Sequence, residues 1–350
     1  MTSNYPTFNN YYNDSDYNYD LNDFFNSSSP ESISAVRWAA LIIYVVVFIL
    51  GLPGNALVVW MTAYEMKRTV NTVWFLNLAI ADLLCCLSVP FSIMGIILRN
   101  HWPLGLFACK FIPSLLLINM YASVLILMVI SMDRCALVIK PVWCQNHRSV
   151  KKASLACLVV WVLSLFLTSP SFIFRKTIIK SRDHITCSMD FSLTGEDQVK
   201  VETFIAVFRF LMGFLIPFLL ITICYVVLVT RVNERFAQSG KTMKVVITVI
   251  TGFFVCWFPY HVAGLILVSH PNSDLYKSTL KVDSLLISIA FINSCMNPII
   301  YVLMGQDFKS KFKKSVKSIL RQVLADEQSG SYDTKKSKSS TETKNTDTQV

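Results

Sequence analysis

Long apolar segments recur seven times along this chain, each close to the roughly 20 residues that a helix needs to cross the hydrocarbon of a bilayer. They cover, in order, residues 37–61, 73–98, 108–132, 153–174, 204–230, 243–269 and 283–304. They are too long for the strands of a membrane barrel, and they lack the polar stripe of helices on a soluble bundle. The pattern therefore predicts an all-α integral membrane protein, a bundle of seven transmembrane helices spanning residues 37–304.

The polar segments outside the bundle predict three further regions. Residues 1–36 form an acidic tail, and residues 325–350 form a polar tail rich in Ser and Thr. Their low hydrophobicity predicts that both tails are disordered. Between the last span and the second tail, residues 305–324 mix basic residues with apolar residues at helical spacing, which is typical of a short amphipathic helix on the membrane surface. The apolar positions are Phe308, Phe312, Val316, Ile319 and Val323.

The distribution of charge predicts the orientation in the membrane. Lysine and arginine cluster in the connections after the first, third and fifth spans and directly after the seventh, whereas none precedes Arg37. The positive-inside rule places the basic side in the cytoplasm and the N-terminus outside. The net charge of +10 therefore describes a cytoplasmic surface that faces anionic lipid, and it does not indicate nucleic-acid binding.

The predicted extracellular tail carries two kinds of candidate modification site. Asn13 and Asn26 begin Asn-x-Ser triplets, which are acceptors for N-linked glycans. Four tyrosines stand beside acidic residues: Tyr11, Tyr12, Tyr17 and Tyr19. One interpretation of this composition is a solvated leader. The other is an anionic docking segment for a cationic partner, with tyrosine sulfation adding to its negative charge.

Cysteine placement predicts one disulfide bond. Of the ten cysteines, most lie in or against the spans, where Cys behaves as a small apolar residue, or face the reducing cytoplasm. Cys109, at the outer end of the third span, and Cys187, in the loop between the fourth and fifth spans, are in an oxidising compartment. We expect these two residues to be bonded and to hold the loop over the mouth of the bundle.

Polar residues inside the spans indicate a buried site. A charge at the depth of Asp82 costs roughly 2.5–3.5 kcal/mol on insertion scales, so a partner or a cation must offset it. Asn119, Ser123 and Asn293 offer oxygen atoms from other spans. A hydrated sodium ion at these four residues is one hypothesis, and it is the only cofactor that the sequence suggests. A water-filled hydrogen-bond network between the helices is the alternative.

Prolines and one charged pair mark candidate moving parts. A proline within a span removes a backbone donor and permits a kink, and the candidate hinges are Pro90, Pro170, Pro217, Pro259 and Pro298. Trp257 precedes Pro259, and Asn297 and Tyr301 flank Pro298. Several such kinks beside buried polar groups favour a bundle with two stable arrangements.

One motif in each span, taken in order, resembles the signature set of rhodopsin-like G-protein-coupled receptors over about residues 37–320. The motifs are Gly54 with Asn55, Leu78–Asp82, Trp102 with Cys109, Asp133-Arg134-Cys135, Trp161, Pro217 with Tyr225, Cys256–Pro259 and Asn297–Tyr301. The resemblance implies a plasma-membrane receptor in which Asp133 holds Arg134 at rest and releases it toward a heterotrimeric G protein. Trp257, Pro259 and the Asn297–Tyr301 segment are the implied switches. Cys135 departs from the commoner Tyr but leaves the charged pair intact.

The same resemblance implies regulation from the C-terminal tail. Serines there are expected to be phosphorylated and to recruit arrestin: Ser329, Ser331, Ser337, Ser339 and Ser340. Membrane lipids are expected partners, and self-association is left open.

Finer similarity points to a subgroup. Leu116 and Phe291 stand where amine receptors carry Asp and opsins carry the retinal-binding Lys, so amines and retinal are poor candidate ligands. The segments 119–123, 140–146, 241–246 and 282–285 resemble the anaphylatoxin chemotactic receptors, and within them the receptors for complement C5a. C5a is the expected ligand, with C3a or a formylated peptide as the alternatives. A scavenging receptor that does not couple is disfavoured by the intact Asp133-Arg134 pair.

Charged residues near the outer ends of the spans are given a role by this resemblance. We expect Arg175 and Arg209 to receive the carboxylate at the end of a peptide ligand. Asp283, with Glu202 and near Tyr260, is expected to receive a terminal arginine, because guanidinium–carboxylate pairs in a partly dry cleft are directional. The alternative is that Arg209 and Asp283 pair with each other or extend toward water.

Enzyme and transporter functions find no support in the sequence. There is no G-x-S-x-G or H-E-x-x-H motif, and His261 is the single histidine well inside a predicted span. No internal repeat or matched pair of broken helices, common in secondary transporters, is present. The sequence therefore predicts a receptor.

Overall fold

A computed structural model describes residues 34–181, 184–231, 240–269 and 273–304, and within them seven helical segments are long and apolar enough to cross a membrane. This confirms the predicted all-α bundle. The helices are α1 (Ala35–Trp60), α2 (Val70–Ile97), α3 (Gly105–Ile139), the short α4 (Pro141–His147), α5 (Val150–Phe174), α6 (Gln198–Phe210), α7 (Ile216–Arg231), α8 (Gly240–Ser269) and α9 (Asp274–Met304). The predicted glycosylated and tyrosine-rich tail, the surface helix at 305–324 and the tail serines lie outside the described residues.

Several helices extend beyond the apolar segments that predicted them. Helix α6 begins at Gln198 and α9 at Asp274, and the residues 192–197 before α6 form a 3₁₀ helix. Hydropathy detects the lipid-embedded part of a helix, whereas these polar ends continue it into the aqueous layer. Asp283, which was expected to open the seventh span, therefore lies more than two turns inside α9.

Two segments depart from α-helical geometry within the spans. A π turn at Met61–Glu65 ends the first span, and a second π turn at Leu211–Leu215 joins α6 to α7 in the fifth. Each π turn accommodates one more residue than an α-helical turn. The helices contain the five prolines named above and also Pro53 in α1 and Pro113 in α3.

A β-hairpin, which hydropathy did not predict, covers part of the outer face. Strand β1 (Arg175–Ser181) pairs antiparallel with β2 (His184–Met189), and Thr177 lies opposite Cys187. The predicted Cys109–Cys187 disulfide is present and ties β2 to the outer end of α3. At the base of the hairpin, Lys176 Nζ lies 2.9 Å from Asp190 Oδ2. The backbone N–H of Ser192 and the Lys176 ammonium lower the pKa of Asp190 to about 2, so this pair persists throughout the physiological pH range.

The connection from α2 to α3 is bonded to the same hairpin. Arg99 and Asn100 adopt positive φ angles of 51° and 65°, which turn the chain sharply after α2. The backbone N–H of Trp102 then donates to the carbonyl of Ile185 at 2.7 Å. The first outer connection and the hairpin therefore form one continuous cover.

Close helix packing fixes the inner arrangement of the bundle. Helix α3 is the most deeply buried of the described spans, because 67% of the residues in its most apolar stretch lie inside the protein. In α1, a Cβ added to Gly51 would lie 2.7 Å from Cys86 Sγ of α2 and 3.4 Å from Cys295 Cβ of α9. Glycine is therefore required there for three helices to meet.

Candidate functional site

A cavity of about 320 Å³ opens at the outer end of the bundle. Its walls come from five of the spans, the α2–α3 connection and the hairpin. The residues that matter for recognition are Arg175, Tyr260 and Asp283, with Tyr44, Leu116 and Phe291 among the others that line it.

Arg175 and Asp283 line this cavity, and neither forms an ion pair with another described residue. Arg175, at the end of α5, donates from Nε to Ser171 Oγ at 3.2 Å, and burial lowers the pKa of its guanidinium group. Asp283 lines the cavity from α9. Among the described residues, no carboxylate lies within ion-pair distance of Arg175 and no cation within that distance of Asp283. The cavity thus offers one unpaired positive group and one unpaired negative group to a ligand.

Arg209 and Glu202 occupy different surroundings. The Arg209 guanidinium carbon lies 5.3 Å from the centroid of the Tyr260 ring, a cation–π distance, and the side chain packs against Gly264. The anticipated alternative, an Arg209–Asp283 ion pair, is not formed within the described part of the chain. Glu202 is exposed on α6. The structure therefore brings Arg175, Tyr260 and Asp283 together, places Arg209 against Tyr260 and leaves Glu202 outside the cavity lining.

An aromatic chain leads inward from Tyr260. Trp257 is fully buried, and its ring centroid lies 5.5 Å from that of Tyr260 and 5.9 Å from that of Phe253. Pro259 interrupts α8 beside it. A displacement of Tyr260 toward the bundle interior would therefore press on the buried Trp257, close to Pro259.

Deeper in the bundle, the predicted polar residues form a connected network. Asp82 is fully buried, and its Oδ2 accepts a hydrogen bond from Asn297 Nδ2 at 2.6 Å. Asn119 Nδ2 donates to Ser294 Oγ at 3.0 Å, and Ser123 Oγ donates to Asn119 Oδ1 at 3.1 Å. Helices α2, α3 and α9 are joined through these contacts.

Two polar atoms in this network lack partners among the described residues: Asp82 Oδ1 and Asn293 Nδ2. A buried carboxylate oxygen with a free lone pair, in a network that also contains hydroxyl and amide oxygens, suits a hard cation such as sodium. Asp82, Asn119 and Ser123 therefore fit the ion hypothesis. The Asn293 side chain makes no hydrogen bond to the other three.

At the inner end of α3, the charged pair has an additional partner that the sequence did not predict. Arg134 NH2 lies 4.0 Å from Asp133 Oδ2, at the limit of an ion pair. Arg148 engages the same carboxylate at two points, with Nε 2.7 Å from Oδ1 and NH2 3.0 Å from Oδ2. Arg134 and Arg148 both donate to the amide oxygen of Asn71, at 2.5 and 2.9 Å.

The short helix α4 explains how Arg148 reaches Asp133. Pro141 begins this helix, and Arg148 is its C-terminal capping residue, so one additional helical segment returns the chain to the end of α3. A basic residue in a cytoplasmic connection carries no sequence signal for such a role. The Asn297 and Pro298 backbone lies in α9, whereas the side chain of Tyr301 is outside the part of the chain that is described.

Comparison with known proteins agrees with this arrangement. The model of the seven-transmembrane receptor family (rhodopsin family) matches residues 54–301. A C5a anaphylatoxin chemotactic receptor 1 from Oryctolagus cuniculus is 46% identical over 318 residues, which are 89% of this chain and 90% of the relative. The Homo sapiens receptor of the same name is 46% identical over 293 residues, 82% of each chain.

A relative with a different printed ligand is almost as similar. A C3a anaphylatoxin chemotactic receptor from Danio rerio is 42% identical over 327 residues, which are 93% of this chain and 87% of the relative. Overall similarity therefore defines the receptor group without separating the two ligands.

Proposed function

Because this chain belongs to the rhodopsin family of seven-transmembrane receptors, within the group of C5a and C3a receptors, we propose that C5a is its ligand. It is a multi-pass receptor of the plasma membrane and not an enzyme, and its group couples to G proteins. The proposed signal is chemotaxis and inflammatory activation, through inhibitory-type G proteins and calcium release.

The observation that carries the ligand proposal is the unpaired Arg175 and Asp283 in one outer cavity. In a partly dry cleft, each charged side chain is more stable when it forms an ion pair with a ligand group of opposite sign. A peptide end that carries both a carboxylate and an arginine side chain supplies the two groups at once. An amine or an uncharged ligand would leave at least one charge unpaired.

The proposal gives each of these residues a role that its position supports. Arg175 receives the terminal carboxylate, and Asp283 receives the terminal guanidinium group. Arg209 supports the same end of the ligand through Tyr260, against which it packs. Glu202, exposed on α6, meets the basic surface of the ligand before its end enters. The acidic tail, with sulfated tyrosines, would add a second and outer attachment.

Activation requires that the ligand bind one arrangement better than the other. A change from about 1:99 to 99:1 in favour of the active arrangement requires roughly 5.5 kcal/mol of differential affinity. Contact of the ligand with Tyr260 is transmitted to Trp257 and to the α8 kink at Pro259. A sodium ion at Asp82, Asn119 and Ser123 would hold α2, α3 and α9 in the resting arrangement, and agonist binding would oppose it.

At the cytoplasmic end, the proposed event is release of Arg134 toward the G protein. Its ion pair with Asp133 and its hydrogen bond to Asn71 restrain it at rest. Phosphorylated tail serines would then recruit arrestin.

A ligand panel tests the proposal. Cells that express the chain receive C5a, C3a and a formylated peptide separately, while cyclic AMP and calcium are recorded. We expect C5a to lower cyclic AMP and raise calcium at the lowest concentrations. The Arg134→Ala variant, brought to equal surface expression, should bind C5a without either response. A response confined to C3a or to the formylated peptide would exclude the ligand assignment and leave the receptor class intact.

A further inference from the structure

Two histidines meet where the α2–α3 connection joins the β-hairpin. The ring centroids of His101 and His184 lie 5.5 Å apart, with 57° between the ring planes. The Cys109–Cys187 disulfide holds β2 in place three residues beyond His184, and the Trp102–Ile185 backbone bond holds the connection against it. The pair is therefore positioned by covalent and backbone constraints on both sides.

The hydrogen bonds of His184 define which of its nitrogens is free. Nε2 lies 3.3 Å from the backbone carbonyl of Arg99. Because a carbonyl can only accept, Nε2 carries the proton and Nδ1 of the neutral ring carries a lone pair. That Nδ1 is buried and has no hydrogen-bond partner among the described residues. A metal-binding histidine has this same arrangement, with one ring nitrogen donating to a carbonyl and the other left for the metal.

His101 carries a second lone pair on the adjacent ring. The backbone N–H of Ile185 lies 3.2 Å from His101 Nδ1. Because an N–H group can only donate, this Nδ1 is also unprotonated. A metal ion that binds this Nδ1 would replace the 3.2 Å hydrogen bond from the Ile185 N–H. The hydrogen bond from the Trp102 N–H to the Ile185 carbonyl would still hold the α2–α3 connection against the hairpin.

The separation of the rings matches ligation of one ion. Two imidazoles that bind one tetrahedral zinc ion, with zinc–nitrogen distances of about 2.1 Å, have ring centroids roughly 5 Å apart. The observed 5.5 Å is within a small side-chain adjustment of that value. No cluster of three or more metal-binding side chains occurs in the described residues, so water would complete the coordination.

We propose that His101 and His184 form an extracellular binding site for a divalent transition-metal ion, with zinc as the probe of choice. The site is separate from Asp82, and imidazole nitrogens select transition metals over magnesium or calcium. His101 also lines the outer cavity beside Thr186 and Cys187. A bound ion would cross-link the α2–α3 connection to the hairpin at the rim of that cavity and would therefore alter how a ligand enters.

The test uses the purified full-length receptor in lipid nanodiscs without any ligand, so its outcome does not depend on the ligand proposed above. Zinc chloride is titrated at pH 7.4 while the thermal unfolding midpoint is followed. We expect a saturable rise in the midpoint, and magnesium chloride should produce none. His101→Asn and His184→Asn should each weaken the apparent zinc affinity by at least about ten-fold.

His147→Asn is the matched control, since His147 lies at the cytoplasmic end of α4 and stacks on Trp143. It should leave the zinc response unchanged. If an asparagine variant lowers the zinc-free midpoint, the corresponding glutamine variant is used and bound zinc per receptor is counted after dialysis. A zinc response that survives in the His101→Asn, His184→Asn double variant, or no saturable response in the unmodified receptor, would overturn the proposal.

Discussion

At the scale of single residues, Arg148 determines how firmly Asp133 can hold its neighbour. Its two contacts, at 2.7 and 3.0 Å, are much shorter than the 4.0 Å between Asp133 and Arg134. A carboxylate that is already satisfied by one guanidinium group has less attraction left for another. Arg148 is therefore a positioning residue that leaves Arg134 partly free.

Replacement of Arg148 should consequently make the receptor harder to activate. In Arg148→Ala, Arg134 becomes the nearest cation to Asp133, and we expect the ion pair between them to shorten. We expect the concentration of agonist needed for G-protein recruitment to rise about ten-fold, since charge-assisted hydrogen bonds contribute about 1.5–3 kcal/mol. Arg148→Lys keeps the charge but replaces the two-pronged guanidinium donor with a single ammonium group. The agonist concentration that it needs should lie between those of the unmodified receptor and Arg148→Ala.

The control for this prediction is Lys151→Ala, which removes an exposed cation three residues away. Recruitment is measured with an energy-transfer sensor at matched surface expression. If Arg148→Ala matched Lys151→Ala, or recruited the G protein at lower agonist concentrations, the positioning role would be wrong.

Asp283 permits a direct measurement of ligand contact. We expect Asp283→Asn and removal of the terminal arginine of a C5a-derived peptide to be non-additive, with a coupling of at least about 1.5 kcal/mol, or roughly ten-fold in affinity. Asp274→Asn, which removes an exposed carboxylate from the same helix, should show none. Competition binding provides all four affinities of each cycle. Coupling equal to that of Asp274→Asn would exclude direct contact.

Asp82 gives a third residue-scale prediction. If sodium occupies the site with its unpartnered Oδ1, agonist affinity should fall by about five-fold or more when sodium chloride replaces choline chloride at constant ionic strength. Asp82→Asn should abolish this difference, because the neutral amide supplies no charge for the ion. Radioligand competition in membranes provides the measurement. A sodium effect that persists in the variant would favour the water network instead.

At the scale of helices, Gly51 sets how closely α1 approaches α2 and α9. Gly51→Ala would place a methyl group 2.7 Å from Cys86 Sγ, a short and buried side chain that cannot move away easily. We expect a loss of about 1–3 kcal/mol of stability, as for other overpacked cores. The midpoint of thermal unfolding in detergent should fall accordingly.

Gly95→Ala is the natural comparison for that change. Gly95 also lies within a helix, but a Cβ there would meet nothing within 4 Å. It should leave the midpoint unchanged or raise it slightly, because alanine is the better helix former by up to about 1 kcal/mol. Equal effects of the two substitutions would show that close packing at Gly51 is unimportant.

The helices also show what a linear pattern can and cannot predict. Apolar length located all seven spans, because burial in lipid demands it of each helix separately. The hairpin at 175–189 escaped prediction, since its strands are short and are stabilised by each other and by the disulfide. The seven-residue α4 escaped as well, and with it the contact between Arg148 and Asp133.

At the scale of the whole molecule, the sequence identified most of the candidate site residues, but it did not predict which of them lie together in the fold. Asp82, Asn119 and Ser123 could be grouped beforehand because buried polar residues are costly in lipid and must meet. The residues of the outer cavity could not be grouped in this way, because they come from five spans, the α2–α3 connection and the hairpin. That Arg209 receives the ligand carboxylate stays a prediction, and its packing against the Tyr260 ring had no signal in the sequence. The neighbours of a helical side chain depend on how its helix is rotated about its own axis, and the hydropathy pattern does not give that rotation.

The π turn at Leu211–Leu215 is one source of that rotation. Successive residues of an α-helix are about 100° apart around its axis, so one additional residue turns everything on its outer side by that angle relative to the inner side. Deletion of Met212 alone would turn Arg209 by that angle, away from the Tyr260 ring, while α7 kept its place. The outer, ligand-facing part of the span would then be separated in function from the inner part that faces the G protein. We expect such a chain to reach the membrane and retain its cytoplasmic surface without responding to an extracellular ligand.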